Sequence, residues 1–396
     1  MAEQDDGAFG PATRAVAAGR DGHWARRVAN PPVYRASTHL FADCAELRAT
    51  RIDDADGRRF FYGRQGSPTQ WALQDALTEL EPGAAGTVLY PSGLAAITGA
   101  LLTVLRPGDT LLMTDNAYGP SRDFAKGFLR RMGIATRFFD PLDAAAFTGL
   151  FDRNTKAVLL ESPGSLTMDV CDVSALAAIT RQQGAAVLLD NTWATSIGFA
   201  ALEHGCDIAI TALTKHVGGH SDVMLGSCSA GEEWHGKLRQ TARALGHVVS
   251  PDDAALALRG LRTMPLRLER QTRSALRIAE WLAGRAEVAE VLCPMLPGHP
   301  SHALWSRDFT GGCGLFSFTL RDADDTVRCR FIDTLRLFGI GYSWGGYESL
   351  ALPVDPDTCR AVMSSPPRGS AIRLSVGLED PADLMADLTR GFAAIG

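Results

Sequence analysis

The chain has 396 residues, 46% hydrophobic, 21% charged and 8% aromatic, which excludes disorder as a description of the whole. At about 150 residues per domain it is long enough for two or three domains with a large core. Thirty-nine Lys and Arg against 45 Asp and Glu leave a formal charge of −6, so nothing recommends a nucleic-acid backbone or an anionic membrane as partner, and a small-molecule ligand is expected.

The start, MAEQDDGAFG, carries acids where a signal peptide carries bases, and no apolar stretch follows it; export is not expected, and the protein is read as cytoplasmic. The first 60 residues are rich in Asp, Arg, Pro and Gly, include PPVY at 31–34 and show no strong period, which describes an arm over 1–60. TQWALQDALTELE at 69–81 has the spacing of an amphipathic helix. TVLY (87–90) and TLLMT (110–114) describe short strands, and KAVLLE (156–161), AAVLLD (185–190) and DIAITAL (207–213) are apolar runs with the pattern of parallel strands buried on both faces. Helices are expected between them at 94–105, 122–132 and 173–183, the last with Asp172 as N-cap. Right-handed crossovers then build one open α/β sheet covered by helices. The apolar run at 93–105 is too short to span a bilayer. Past Pro251 the period changes. Residues 252–284 describe a long helical stretch interrupted near Pro265, followed by strands GLFSFTL (314–320) and AIRLSV (371–376) and helices near 326–338 and 381–393. The expected division is an arm over 1–60, a main domain over 61–251 and a smaller α+β domain over 252–396.

Eight cysteines, at 44, 171, 206, 228, 293, 313, 329 and 359, form no C-x-x-C pair or cluster, which argues for reduced, mostly buried thiols and against a zinc knuckle or disulfide framework. The four lysines, 126, 156, 215 and 237, matter more, because a reaction that needs a primary amine has four candidates; Arg cannot be deprotonated to serve.

Ser92–Ile97, SGLAAI, follows a strand and opens a helix, so its free N–H groups and dipole end could hold a phosphate; the same sequence could be only a structural turn. Neither G-x-G-x-x-G nor a P-loop occurs, which disfavours dinucleotide or P-loop chemistry. Asp190 ends the strand AAVLLD, at the edge where open α/β sheets bind ligands, and could equally cap a helix. Lys215, in TALTKHVGGHSD (211–222), lies at the same edge. A half-buried lysine there condenses with aldehydes, whereas an exposed one stays protonated. His216 and His220 have the i, i+4 spacing of a metal pair, but Val-Gly-Gly between them discourages the helix such a pair needs, no third ligand is evident, and no metal is expected. A phosphate cradle, a carboxylate and an amine on successive strand ends are the three things that pyridoxal phosphate demands.

From about Asn30 onward the chain resembles the Cys/Met-metabolism family of pyridoxal-phosphate (PLP) enzymes, of fold type I. The resemblance rests on Tyr62-Gly-Arg64 with Pro68-Thr69, SGLAAI, DNAYGP (115–120), ESPGS (161–165), DNTWAT (190–195), LTKHVGGHSD (213–222), RGLRTMPLRLER (259–270), SWGGYES (343–349) and IRLSVGLED (372–380). It implies a mostly parallel sheet between helices, with Lys215 bonded to the cofactor aldehyde and Asp190 salt-bridged to its ring nitrogen. By the same resemblance Tyr118 stacks on the ring, and the phosphate is held by the N–H groups of Gly93 and Leu94, the Thr214 hydroxyl, and Tyr62 and Arg64 from a neighbouring subunit. Arg373 then clamps the substrate carboxylate beside Ser343 and Trp344, with Tyr62 also near the substrate. Lys215, Tyr118 and Tyr62 are the implied catalytic residues. A dimer is the implied minimum unit and a homotetramer the family norm. Ala212 departs from the family's usual serine, which leaves Thr214 and the helix end more of the phosphate.

The activity implied is carbon–sulfur β-elimination of L-cystathionine to homocysteine, pyruvate and ammonia, with Trp344 and Ser165 favouring the β over the γ reaction. A lyase for another cysteine conjugate, a γ-lyase or γ-synthase, and a non-catalytic PLP-binding protein are the alternatives. Retention of the lysine, the aspartate and the arginine counts against the last. A nicotinamide-dependent oxidoreductase is disfavoured by the missing glycine fingerprint.

Overall fold

The computed structural model describes residues 9–20, 28–50, 58–362 and 371–396; the start of the chain at 1–8 and parts of the expected arm at 21–27 and 51–57 lie outside the described residues. Seven strands form one sheet in the order β1-β7-β6-β5-β4-β2-β3: β1 Gly86–Tyr90, β2 Thr110–Thr114, β3 Ala135–Phe139, β4 Thr155–Glu161, β5 Ala186–Asp190, β6 Ile208–Thr211 and β7 Gly226–Ala230. Five more form a second sheet in the order β10-β11-β12-β9-β8: β8 Val288–Leu292, β9 Leu315–Leu320, β10 Gly339–Ile340, β11 Leu350–Val354 and β12 Ala371–Ser375. The architecture is α/β, as the alternation of apolar runs and helices predicts. By packing, the chain divides into two compact units, Met1–Thr103 with Ile210–Pro265 and Val104–Ala209 with Leu266–Gly396.

In the first unit, the helix Pro68–Leu80 starts where Ser67 and Gln70 form a capping box ahead of Pro68, and buries Trp71, Leu73, Ala76, Leu77 and Leu80. β1 pairs antiparallel with β7, Tyr90 opposite Gly226. The sequence signal missed β7, GSCSA, because it lacks β-branched and aromatic residues. Small side chains suit it to its neighbour: Cys228 Sγ lies 3.4 Å from the Ala96 carbonyl of the helix Gly93–Val104. On that same helix, a Cβ at Gly99 would fall 2.5 Å from Tyr90 Cε1, so helix and strand meet where no side chain fits.

In the second unit, β3, β2, β4 and β5 run parallel, and β4 and β5 are in register from Ala157 opposite Ala186 to Glu161 opposite Asp190. β3, ATRFF, at the sheet edge, alternates exposed and half-buried positions before a buried Phe139, which hid it among turn residues. The helix expected at 122–132 begins earlier, at Gly119, because Pro120 in its first turn supplies a helical φ; it passes through a π-helical turn at Ala125–Leu129. Asp172 caps the helix Val173–Gln182 by accepting the Ala175 N–H at 3.0 Å, as expected. In the second sheet β8, β9, β12 and β11 are antiparallel neighbours. The sheet buries Phe316 and Phe318, and the ring of Phe318 meets Phe331, which in turn meets Phe392. Each such ring contributes roughly 1.5–3 kcal/mol by burial.

The helix Pro251–Ala283 is continuous, and the interruption expected near Pro265 does not occur. One lost backbone hydrogen bond and a ring clash cost about 3 kcal/mol, and burial of Leu258, Leu261, Met264 and Leu268 around the proline offsets that. Five of the seven cysteines whose side chains are described are buried, and all seven are free thiols. Among the described residues no helix is long and apolar enough to cross a membrane.

Candidate active site

Within the first unit, the helix Gly93–Val104 opens with Ser92 Oγ accepting the Ala95 N–H at 3.1 Å. The N–H groups of Gly93 and Leu94, in the first turn, have no intrahelical acceptor. A Cβ at Gly93 would fall 2.6 Å from the Ala212 methyl, so the chain approaches here as only glycine permits. Lys215 sits half-buried in a tight turn closed by Lys215 N–H to Ala212 O (3.1 Å), Gly218 N–H to Leu213 O and Gly219 N–H to Lys215 O (both 2.8 Å). Gly219, at φ +66°, supplies the left-handed residue this turn needs.

The Thr214 hydroxyl donates to Leu225 O at 3.1 Å and accepts from Leu225 N at 3.0 Å. Its proton is committed to the backbone in this structure, so a phosphate would have to draw it away from Leu225. His216 is buried, and His220 Nδ1 faces the Gly218 carbonyl at 2.8 Å. Among the described residues no group of three or more His, Cys, Asp or Glu is placed to hold a metal.

RGLRTMP has a local explanation. At Gly260 a Cβ would stand 2.9 Å from the Gly218 carbonyl carbon, and nearer still to the carbonyl oxygens of Val217 and Gly218. The helix therefore rests directly on the backbone of the Lys215 turn. Tyr62 bridges to Thr38, while Gly63 donates to Ser37 O at 2.8 Å, where a Cβ would fall 3.1 Å from Ser37 Cα. That anchoring leaves Tyr62 46% exposed and Arg64 exposed, with one guanidinium nitrogen 3.3 Å from Arg243 O.

Within the second unit, Asp190 ends β5 with 9% of its surface exposed, its Oδ1 accepting the Thr192 N–H at 3.1 Å and the Thr192 hydroxyl at 2.5 Å. Opposite it in register is Glu161, the last residue of β4. Glu161 accepts the Ser165 hydroxyl at 2.5 Å on Oε1 and the Tyr118 backbone N–H at 2.6 Å on Oε2. Burial, and then the charge of Asp190, push its carboxyl up to about 8 against the hydrogen bonds that favour ionisation.

Tyr118 precedes the helix Gly119–Phe124 and is 45% exposed. Its phenol is pushed up, by burial first and then by Asp190 and Glu161, with Arg373 opposing. Arg373, on β12, donates to the Ser343 carbonyl at 3.0 Å; burial lowers its pKa, against the pull of Tyr118 and Tyr342. As an arginine it keeps its charge. Ser343 holds φ +80° at the head of SWGGYES. That segment is tied down by Gly345 N–H to Ser375 Oγ (3.2 Å), Gln271 Nε2 to Gly346 O (2.6 Å), and Ser349 N–H and Oγ to Glu379 (2.8 Å each). Trp344 within it is half-buried.

One unit therefore carries Lys215, Thr214, Gly93, Leu94, Tyr62 and Arg64, and the other brings Tyr118, Asp190 and Arg373 into one electrostatic neighbourhood with Ser343 next to the arginine. Sequence reasoning quoted ESPGS yet gave Glu161 no role. The signal was there: an acid at the end of an apolar strand, next to the strand that ends in Asp190. The groups present fit a phosphorylated pyridine aldehyde. The helix start at Gly93 and Leu94 offers N–H groups without an intrahelical acceptor to an anion, Lys215 supplies an amine, and the nearly buried Asp190 carboxylate suits a protonated ring nitrogen.

The family described as "Cys/Met metabolism PLP-dependent enzyme" matches residues 12–393. A putative cystathionine β-lyase of Rhizobium johnstonii is 48% identical over 92% of this chain and 91% of its own length. Cystathionine β-lyase MetC of Escherichia coli is 43% identical over 97% of this chain and 98% of its own. Among solved structures, metB from Corynebacterium glutamicum superposes with a TM-score of 0.90 at 28% identity, covering 99% of this chain and all of that one.

Proposed function

The chain belongs to the Cys/Met-metabolism family of PLP-dependent enzymes, and from that premise we propose that it is a carbon–sulfur lyase that cleaves the Cβ–S bond of L-cystathionine. With one water consumed, the products are homocysteine, pyruvate and ammonia. The observation that carries this reading is the near full-length identity of 48% and 43% to proteins called cystathionine β-lyases.

When bound, pyridoxal phosphate supplies the electron sink for a carbanion at the substrate's α-carbon. The remaining work is assigned to this chain's residues. Lys215 Nζ would hold the cofactor, and as an unprotonated amine it would take the substrate's α-proton. Asp190 keeps a proton on the ring nitrogen, and its hydrogen bonds from Thr192 hold its charge in place. Tyr118 covers the ring. The N–H groups of Gly93 and Leu94 and the Thr214 hydroxyl take the phosphate. Arg373 takes the substrate's α-carboxylate through its planar fork, with Ser343 fixing the guanidinium and Trp344 beside it. Tyr62 and Arg64, anchored at the backbone and exposed, reach a neighbouring protomer's cofactor and substrate. The working unit is thus at least a dimer, proposed as a homotetramer, with an arm over 1–60, a cofactor domain over 61–251 and a C-terminal domain over 252–396.

The test is incubation of the purified, PLP-loaded protein with L-cystathionine, scoring keto-acid and thiol. Pyruvate with homocysteine is expected, and Lys215→Ala abolishes both. Formation of 2-oxobutyrate with cysteine as the main products would overturn the β-elimination reading.

A further inference from the structure

Glu161 accepts the Tyr118 backbone N–H and lies beside Asp190, yet the proposed reaction assigns it no chemistry. Its carboxyl is half-buried opposite Asp190 in register, and two acids side by side disfavour each other's charged form. What the carboxyl does is join two loops. Its Oε2 takes the Tyr118 N–H at 2.6 Å, and its Oε1 is held by the Ser165 hydroxyl at 2.5 Å.

The same two loops are locked a second time. Asn116, fully buried, donates from Nδ2 to Thr167 Oγ1 at 3.3 Å and lies flat against Gly164. A Cβ there would fall 2.9 Å from the Asn116 Oδ1 and closer still to the amide carbon and nitrogen. Residues 116–118 are thereby fixed on both sides of the bond leading to Tyr118, a residue left 45% exposed.

We propose that Glu161 is a positioning residue: together with the Asn116–Gly164 fit, it sets the backbone from which the Tyr118 ring is presented to the cofactor. This rests on the reading that Tyr118 stacks on bound pyridoxal phosphate. A ring whose backbone is fixed binds without first being ordered, which is where the affinity comes from.

The test uses the full-length protein, stripped of cofactor and titrated with pyridoxal 5′-phosphate. The dissociation constant and the visible circular dichroism of the bound chromophore are read beside kcat and KM for L-cystathionine. Glu161→Ala and Gly164→Ala are expected to weaken binding about five- to tenfold and to diminish the dichroic band, an effect on a backbone hydrogen bond and its loop of about 1–1.4 kcal/mol. Glu161→Gln keeps an oxygen for the Tyr118 N–H and should stay within about twofold of wild type. If Glu161→Ala does not fold, Ser165→Ala, which frees the carboxyl without removing it, should show the same loss at about two- to threefold.

In a Tyr118→Ala background Glu161→Ala should cost nothing more, because the two act through one ring. Losses that multiply instead, or a Glu161→Ala protein with wild-type affinity and dichroism, would overturn the proposal. A wild type that binds the cofactor while Tyr118→Ala binds it equally well would sink the proposal along with the reading beneath it, and that result is distinguishable from failure at Glu161 alone.

Discussion

Gly260→Ala separates helix propensity from packing at the Lys215 turn. Within a helix this substitution should stabilise by about 1 kcal/mol. Here the new methyl would stand 2.9 Å from the Gly218 carbonyl carbon, with the oxygens of Val217 and Gly218 nearer. Carbon atoms rest about 3.5–4.0 Å apart, so at least roughly half an ångström must be made by moving backbone, since no side-chain rotation relieves it. Overpacking of this kind costs about 1–3 kcal/mol, and the net sign is destabilising by up to about 2 kcal/mol. The part that yields is the turn closed by Gly218 N–H to Leu213 O and Gly219 N–H to Lys215 O, so Lys215 moves with it. A misplacement approaching 1 Å costs up to about a hundredfold in rate, and kcat should fall about tenfold or more with KM nearly unchanged. Gly236→Ala in the helix Glu232–Ala244 is the control, because nothing lies within 4 Å of its added Cβ; it should stabilise and leave kcat alone. Thermal unfolding and steady-state kinetics on both variants decide the matter. A Gly260→Ala protein that gains stability as Gly236→Ala does, with wild-type kcat, would refute the packing argument.

Arg373→Lys exchanges a planar fork for a point charge and should raise KM for L-cystathionine about tenfold or more, with kcat within a few-fold, since a charge-assisted hydrogen bond is worth about 1.5–3 kcal/mol; a KM equal to wild type would remove Arg373 from the substrate. Arg64→Ala should weaken cofactor binding about ten- to a hundredfold and Tyr62→Phe about fivefold, read by titrating cofactor-free protein, and wild-type affinity in both would refute their assignment to the phosphate. The Glu161 carboxyl, raised from 4.5 to about 8 by burial and by Asp190, makes the folded cofactor-free protein bind a proton that the unfolded chain releases. Its contribution is fully present below pH 4.5 and is lost as pH rises towards 8, by up to about 1.4 kcal/mol per pH unit. Denaturant titrations from pH 5 to 8 should show that slope in wild type and a flatter one in Glu161→Gln; parallel profiles would refute it.

What the sequence disclosed and what it concealed divide along physical lines. β4 and β5 were legible because parallel strands buried on both faces must be continuous apolar runs. β7 was not, since its selection is for smallness against the helix Gly93–Val104 rather than for β-propensity. Pro265 misled because a local rule was applied to a helix whose burial outweighs one lost hydrogen bond. At the candidate site, residue types with a chemistry of their own stood out: a rare lysine, an acid at a strand end, a planar cation. The supporting residues did not. Gly260 and Gly164 act by the absence of a side chain, and Glu161 acts through a backbone N–H that any residue at position 118 would offer. A sequence names the residue at the end of each strand but not the distance across to its neighbour. Only the register that sets Glu161 opposite Asp190 reveals the two acids side by side. That juxtaposition makes the hydrogen bond to Tyr118 worth testing, because an acid set beside another acid carries an electrostatic cost that the contact with the Tyr118 backbone offsets.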